Sequence, residues 1–375
     1  MKRLIAALTL GLGLSAMAHP GILYGQTFHA EGSDTIFGVG ARHVAMGGTG
    51  TATADDPLAI FYNPALLART DRPMISLTRQ LDATLRPFTF AGATLPLPLP
   101  DSLGLNATIG FARYNRVHAR SSGLLEEDDM RSVFLRYLLP GMTGDYDGKI
   151  DSKTLVNRFA LGVAPSGGGG LSLGVNLDYI DCKTETCGVE AGGVGWVARS
   201  VHATALSLGA SASYQWGDRL TLGASWTDID TTLTTRQVRT DANGTRNYTY
   251  RTKLPSKLNL EAAWQATDKI LVATGWQKFW GNYGSYTLNF ETLHFGAEYE
   301  TDNGFTWRGG LWAPLQMSSS LSSQIELPVP AAPTAGLGWK RDRFSADISV
   351  YAHPVMTLSE DRPVVSGDLT IGWRF

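Results

Sequence analysis

The stretch "ALSLGASASYQWGDRLTLGASW", residues 205–226, decides the fold. Leu206, Leu208, Ala210, Ala212, Tyr214 and Trp216 recur at period two. Ser207, Gly209, Ser211, Ser213 and Gln215 fall between them. After Gly217-Asp218 the alternation resumes, with Leu220, Leu222, Ala224 and Trp226 set against Thr221, Gly223 and Ser225. Period two gives a strand one apolar face and one polar or small face, and helical spacing does not fit these windows. The Gly-Asp pair between the two runs is a tight turn.

The same scheme spreads outward through "LNLEAAW" (258–264), "LHFGAEY" (293–299), "FTWRGGL" (305–311), "FSADISV" (344–350) and "LTIGWRF" (369–375). About fourteen strands are expected, near 74–80, 87–94, 104–114, 154–163, 170–180, 204–216, 219–230, 256–265, 269–278, 290–299, 304–312, 333–340, 343–351 and 366–375. Tight turns at 217–218, 266–269, 301–304 and 340–343 alternate with long connections near 229–255, 280–289, 315–332 and 353–365. Short turns at one rim and long loops at the other characterise an outer-membrane barrel. A β-sandwich shows the same alternation. Here, however, the apolar faces end in Tyr214, Trp216, Trp226, Trp264, Trp276 and Tyr299, as aromatic girdles require. The opposite faces carry Ser, Thr, Gly, Asn, Glu and Arg, which suits a lumen. The expected fold class is all-β, a transmembrane antiparallel barrel over 74–375.

Composition agrees. Only 18% of residues are charged, and 42 Gly and 10 Trp are present, a balance poor in charge for a soluble domain. The net charge of −2 offers no basic field for nucleic acid. Lys2 and Arg3, an apolar run to Leu14 and Ala16-Met17-Ala18 read as a secretory signal peptide over 1–18. The only cysteines, Cys182 and Cys187, are expected to close a small disulfide loop after export. They lack clustered His for a metal site, and no cofactor is indicated. The seven histidines are scattered and none lies in a nucleophile motif such as G-x-S-x-G, which gives no sign of an enzyme.

Two segments break the strand pattern. In "LLEEDDMRSVFLRYLLPGM", residues 124–142, the residues Met130, Val133, Phe134, Tyr137 and Leu138 fall at helical spacing, and Pro140 ends the run. This loop helix either folds back on the barrel or offers a greasy ligand a landing surface. The second segment is 19–73, which holds few strand signals and many small residues. "GVGARHVAMGGTGTATADDP" (38–57) lacks the Gly-Lys-Ser/Thr ending of a phosphate loop. In "FYNPALL", Pro64 fixes φ and lacks an N–H, Asn63 is pushed out of the α region, and its amide is free to bind nearby backbone.

"ADDPLAIFYNPALLARTDRP" resembles the N-terminal hatch of the FadL family, outer-membrane transporters of long-chain fatty acids and other hydrophobic compounds. Asn63, Pro64 and Ala65 match the hatch motif. "LPSKLNLEAAWQATDKILVATGWQKFW" (254–280) and "FGAEYETDNGFTWRGGLWAPLQ" (295–316) resemble later hairpins of that family. The resemblance implies passive transport of fatty acids or other hydrophobes, a hatch over 19–73 that shifts inside the lumen, and a lateral exit at a kinked third strand. Gly104 and Gly110 are the candidates for that kink. An apolar sleeve is expected from Phe28, Phe37, Phe61 and Tyr62 with the loop residues Phe134, Tyr137 and Leu138. Lys183 and Lys278 are the candidates for holding a carboxylate; with neither in place, a neutral aromatic hydrocarbon suits equally. A non-transporting secretion or attachment scaffold shares the same N-terminal stretch. Expected partners are hydrophobic small molecules, outer-membrane lipids and the barrel-assembly machinery, which reads a terminal Phe such as Phe375.

Overall fold

The computed structural model describes residues 27–33, 38–81, 89–125, 146–166, 170–182, 187–192, 196–241, 244–283, 286–319, 325–326, 331–352 and 364–375. Fourteen antiparallel strands close a barrel. They are β1 (Met74–Gln80), β2 (Phe90–Leu97), β3 (Leu105–Leu125), β4 (Tyr146–Pro165), β5 (Leu171–Cys182), β6 (Trp196–Trp216) and β7 (Leu220–Ile229). The circuit continues with β8 (Ser256–Thr267), β9 (Ile270–Tyr283), β10 (Tyr286–Glu300), β11 (Phe305–Ser319), β12 (Ala332–Arg341), β13 (Phe344–Ala352) and β14 (Val365–Arg374). Closure joins β14 to β1, with Ile371 opposite Leu77. The Phe375 amide donates to the Pro73 carbonyl at 3.0 Å, which seals the seam. Closure pairs β1 with β14, the two strands that would otherwise be the barrel's edges, the condition for a sheet in a membrane.

The period-two reading holds strand by strand, with the apolar face outward. On β5, Leu173, Val175, Leu177 and Tyr179 are exposed, while Ser172, Asn176 and Asp178 are buried. On β6, Leu206, Leu208 and Tyr214 face out and Ser207 and Ser213 face in. An outer wall of Leu, Val and Trp around a polar interior inverts a soluble core and suits lipid. Turns at the short end are as tight as the sequence implies. Gly304 in "TDNG" sits at φ +81, a conformation open to glycine.

The long-loop end departs from expectation in two ways. Strand β3 runs on through Leu124 and Leu125, where a helix was expected to begin. The rest of that expected helix, with Phe134, Tyr137 and Leu138, lies outside the described residues. Thr27–Ser33 is a strand inside a segment with few strand signals, and it pairs with Val117–Ser122 of the extended β3. Its sequence, "TFHAEGS", has little strand pattern of its own. The prolonged β3 supplies the edge it joins, so tertiary pairing overrides local propensity. A further hairpin, Thr232–Asp241 with Gly244–Lys253, extends the wall beside β6.

Residues 38–73 fill the lumen. They form helix α1 (Ala41–Ala45), helix α2 (Ala59–Tyr62) and a 3-10 turn (Pro64–Arg69), nearly all buried. The wall is pared to glycine where this hatch touches it. A Cβ on Gly174 would stand 2.2 Å from the Ala65 amide nitrogen, and one on Gly310 would stand 2.2 Å from the Gly47 nitrogen. The small residues on the lumen face are thus the track on which the hatch backbone lies.

Val175, midway along β5 on the outer face, tests the orientation of the wall. Val175→Arg should destabilise the barrel by about 2–4 kcal/mol, measured as a shifted folding equilibrium in lipid vesicles. An unchanged equilibrium would place that face away from lipid.

Candidate functional site

The hatch turns on Asn63. Its backbone is extended (φ −159°, ψ 94°), and Pro64 occupies the first position of the 3-10 turn. The Asn63 side chain caps that turn by accepting from the Ala65 amide at 3.1 Å. Its Nδ2 donates to the Thr51 carbonyl at 2.6 Å and to the wall carbonyl of Ala212 at 3.0 Å. One buried amide therefore binds its own turn, the preceding hatch segment and the barrel. Ala65 donates also to Ser211 Oγ at 3.1 Å.

Wall residues take up the rest of the hatch backbone. Glu261 on β8 accepts from three successive amides: Gly50 (2.8 Å), Thr51 (2.9 Å) and Ala52 (3.0 Å). Bonds from backbone N–H to a carboxylate are charge-assisted and among the stronger ones. Arg158 on β4 donates to the Phe61 carbonyl at 2.8 Å, at the end of α2, while Asp178 on β5 neutralises it at 2.6 Å. Near the short-turn rim, Arg42 of the hatch meets Glu298 on β10 (3.0 Å), which also holds Arg308 on β11 (2.6 Å). Arg308 continues to Asp347 on β13 at 2.7 Å, and Arg42 bonds back to Asp55.

The hatch titrations follow from these partners. Burial alone would lower the Arg42 guanidinium, but Asp55 and Glu298 outweigh it and hold the group well above its ordinary value. Burial would raise the Asp56 carboxyl; His43 at 3.9 Å, Arg42 and the Leu58 amide hold it below the usual range. Burial pushes the Tyr62 phenol well up, so it stays neutral, accepting from the Val39 amide and donating to its carbonyl.

On its other side the hatch presents an apolar face. Ile60, Phe61, Tyr62 and Leu67 pack with Phe90, Tyr114, Val156 and Ile180 in one buried cluster. Phe61 meets Tyr114 edge-on at 5.1 Å. Lys257 on β8 sets its ammonium 5.1 Å from the Phe61 ring and 5.7 Å from Phe279. The cleft between hatch and wall, lined by Gly38, Thr51, Phe61, Lys257 and Glu261 among others, is only about 20 Å³, room for about one water. The hatch thus lies close against this part of the wall.

The residues picked out from sequence separate. Asn63, Pro64, Ala65, Phe61 and Tyr62 converge on this site. Lys278 does not: it shares the outer face of β9 with Val272 and Trp276 and pairs with Glu291 across to β10 at 2.5 Å. Strand parity places it outside the lumen. Gly104 ends a short 3-10 turn (Asp101–Leu103) at φ +59, before β3 starts. Gly110 lies in regular pairing and clears space for Ile60 and Leu67. Neither bends the strand; the irregularity in β3 falls between Asn115 and Val117. Phe28 lies in Thr27–Ser33, opposite Ser121. Phe37 and Lys183 lie outside the described residues. Cys182 ends β5 and Cys187 begins the short strand Cys187–Gly192, with their side chains outside the description.

Arg42, Arg158, Lys257 and Glu261 were missed. The available signal was parity: Glu261 and Lys257 fall on the polar face of "KLNLEAAW", and a charge in mid-strand facing a lumen needs a partner.

Fold and site together define a lipid-facing barrel closed by an internal hatch. Solved structures share this architecture. The Ralstonia pickettii toluene transporter TbuX superposes with a TM-score of 0.57 at 14% identity, over 91% of this chain and 99% of that one. The P. putida toluene transporter TodX gives the same values. A Pseudomonas aeruginosa FadL homologue gives 0.56 at 14% identity, over 89% and 97%. No family profile and no curated protein matches the sequence. The fold is that of these barrels.

Glu261→Ala removes three hatch bonds, a loss on the order of 3–5 kcal/mol. Cells carrying it should become sensitive to large polar antibiotics; unchanged sensitivity would show the hatch held without Glu261. Asp56 gives the pH dependence. Its lowered carboxyl stabilises the hatch above the usual carboxylate value and is lost as pH falls through the lower folded value. Proteolysis of the hatch should therefore rise only at acid pH, and Asp56→Asn should flatten that dependence.

Proposed function

We propose that this protein is an outer-membrane channel of the FadL family that admits hydrophobic small molecules passively, with residues 38–73 as its gate. The observation that carries the reading is the hatch itself: a lumen filled by a segment with a buried aromatic and apolar face. The short turns lie on the periplasmic side and the long strands of β3, β4 and β6 reach outward. Phe375 supplies the terminal aromatic for the assembly machinery. A ligand leaving water for such a face gains roughly 0.8 kcal/mol per buried CH₂, so no energy source is needed.

Uncharged monoaromatics suit the interior best. The guanidiniums of Arg158 and Arg116 each carry their own carboxylate, Asp178 and Asp228, at 2.6 and 2.8 Å. Rings line the buried cluster, and two of the structures sharing this fold are toluene transporters. Long-chain fatty acids are the second reading, favoured by one feature: the Lys257 ammonium beside Phe61 and Phe279.

Uptake of labelled toluene and oleate, in cells lacking their own transporter, separates these readings. Toluene uptake should appear with the protein and fall severalfold on changing Asn63 and Pro64 to Ala. Oleate uptake that Lys257→Gln abolishes would move the assignment to fatty acids. Uptake of neither, with the barrel inserted, would contradict transport and favour a scaffold.

A further inference from the structure

The connection from β7 to β8 forms the hairpin Thr232–Asp241 and Gly244–Lys253, standing on the long-loop end of the wall. Residues opposite one another in a sheet share a face. Arg236 lies opposite His202, which places it on the side of Leu206 and Leu208, the lipid side. Thr234 lies opposite Arg251, and Thr232 opposite Lys253, so both of those cations share that face. Arg236 and Arg251 are exposed, with no carboxylate partner among the described residues. Two acids stand nearby and are taken: Asp230 by Lys253 at 2.6 Å and Asp181 by His202 at 3.3 Å.

Beneath this cationic face the outer wall is hollowed. A groove of about 520 Å³ opens across β6 to β9, where Ala224, Ala262 and Thr274 sit between the larger Leu222, Leu260 and Trp276. Leu260 is seven residues along the chain from Lys253, about 23 Å at strand rise, and less along the membrane normal because barrel strands tilt. The cations therefore stand at headgroup height and the groove within the hydrocarbon layer.

We propose that the outer face of β6 to β9 and this hairpin form a binding site for a phosphorylated, acylated lipid of the outer leaflet. Arg236 and Arg251 take the phosphate, by bidentate contacts, beside the Lys253–Asp230 pair, and the groove takes an acyl chain. A soluble protein partner is disfavoured because the groove lies where only hydrocarbon is present. A zwitterionic lipid leaves the cations uncompensated. The inference rests on the outer-membrane placement argued above.

The test uses the full barrel in nanodiscs of phosphatidylcholine doped with lipid A, a phosphorylated glycolipid, read by native mass spectrometry of retained lipid. Heat-modifiable migration first shows that each variant is a folded barrel. The protein should retain lipid A over phosphatidylcholine. The double variant Arg236→Gln, Arg251→Gln should weaken retention about fivefold per cation removed. Ala262→Phe, which fills the groove, should weaken it while leaving the charges in place. Equal retention by the protein and the double variant, or no preference for lipid A, would overturn the site. Toluene uptake is not read here, so failure of this site and failure of the transport reading are separable.

Discussion

A barrel of fourteen strands is wide enough to leak unless something fills it, and a filler of irregular backbone brings polar groups that water no longer serves. The wall must serve them instead. Glu261 takes the amides of Gly50, Thr51 and Ala52. Arg158 takes the Phe61 carbonyl. Thr370 accepts from the Ala41 amide, and Thr334 bonds both the Gly47 amide and the Ala45 carbonyl. Polar side chains on β4, β6, β8, β10, β12 and β14 are committed to this task. The lumen is therefore neither a dry core nor an open pore; it is a mould for thirty-odd residues of hatch.

The ties are not spread evenly. At the short-turn end a charged ladder runs Asp55, Arg42, Glu298, Arg308, Asp347, joining the hatch to three wall strands. At the long-loop end apolar side-chain contacts predominate, through Phe61, Tyr62 and Leu67 against Tyr114, Val156 and Ile180, with Arg158 holding the Phe61 carbonyl among them. Dispersion and apolar burial are non-directional, so a hydrophobic ligand replaces them with little loss. Charged and hydrogen-bonded ties admit no such substitute. In the channel proposed above, charged ties predominate at the short-turn end of the hatch and apolar ones at the long-loop end, an asymmetry suited to a gate that opens from outside.

The barrel was legible because its signal is local. Alternation along ten residues gives each strand, and "GD" or "TDNG" gives each turn, so strand number and the outward apolar face follow from sequence. Asn63-Pro64 was legible for the same reason: the conformation of both residues is set by their covalent neighbours. The docking of the hatch was not. Gly50 and Glu261 are 211 positions apart, and no local pattern pairs them. Lys278 shows the other failure. As an isolated cation in "GWQKFW" it looks available, yet one step of parity moves it from lumen to outer face. The strand Thr27–Ser33 is likewise formed by its partner, an extension of β3 that no turn signal announces.

Hydrogen exchange of the hatch amides, with the barrel in nanodiscs, tests most directly whether this segment is a gate. The account predicts slow exchange at Gly50, Thr51, Ala52 and Ala65 in the empty protein. Added toluene should speed that exchange saturably, while the amides of β5 and β8 stay protected. Hatch amides equally protected at saturating toluene, in a protein that carries toluene into cells, would contradict it.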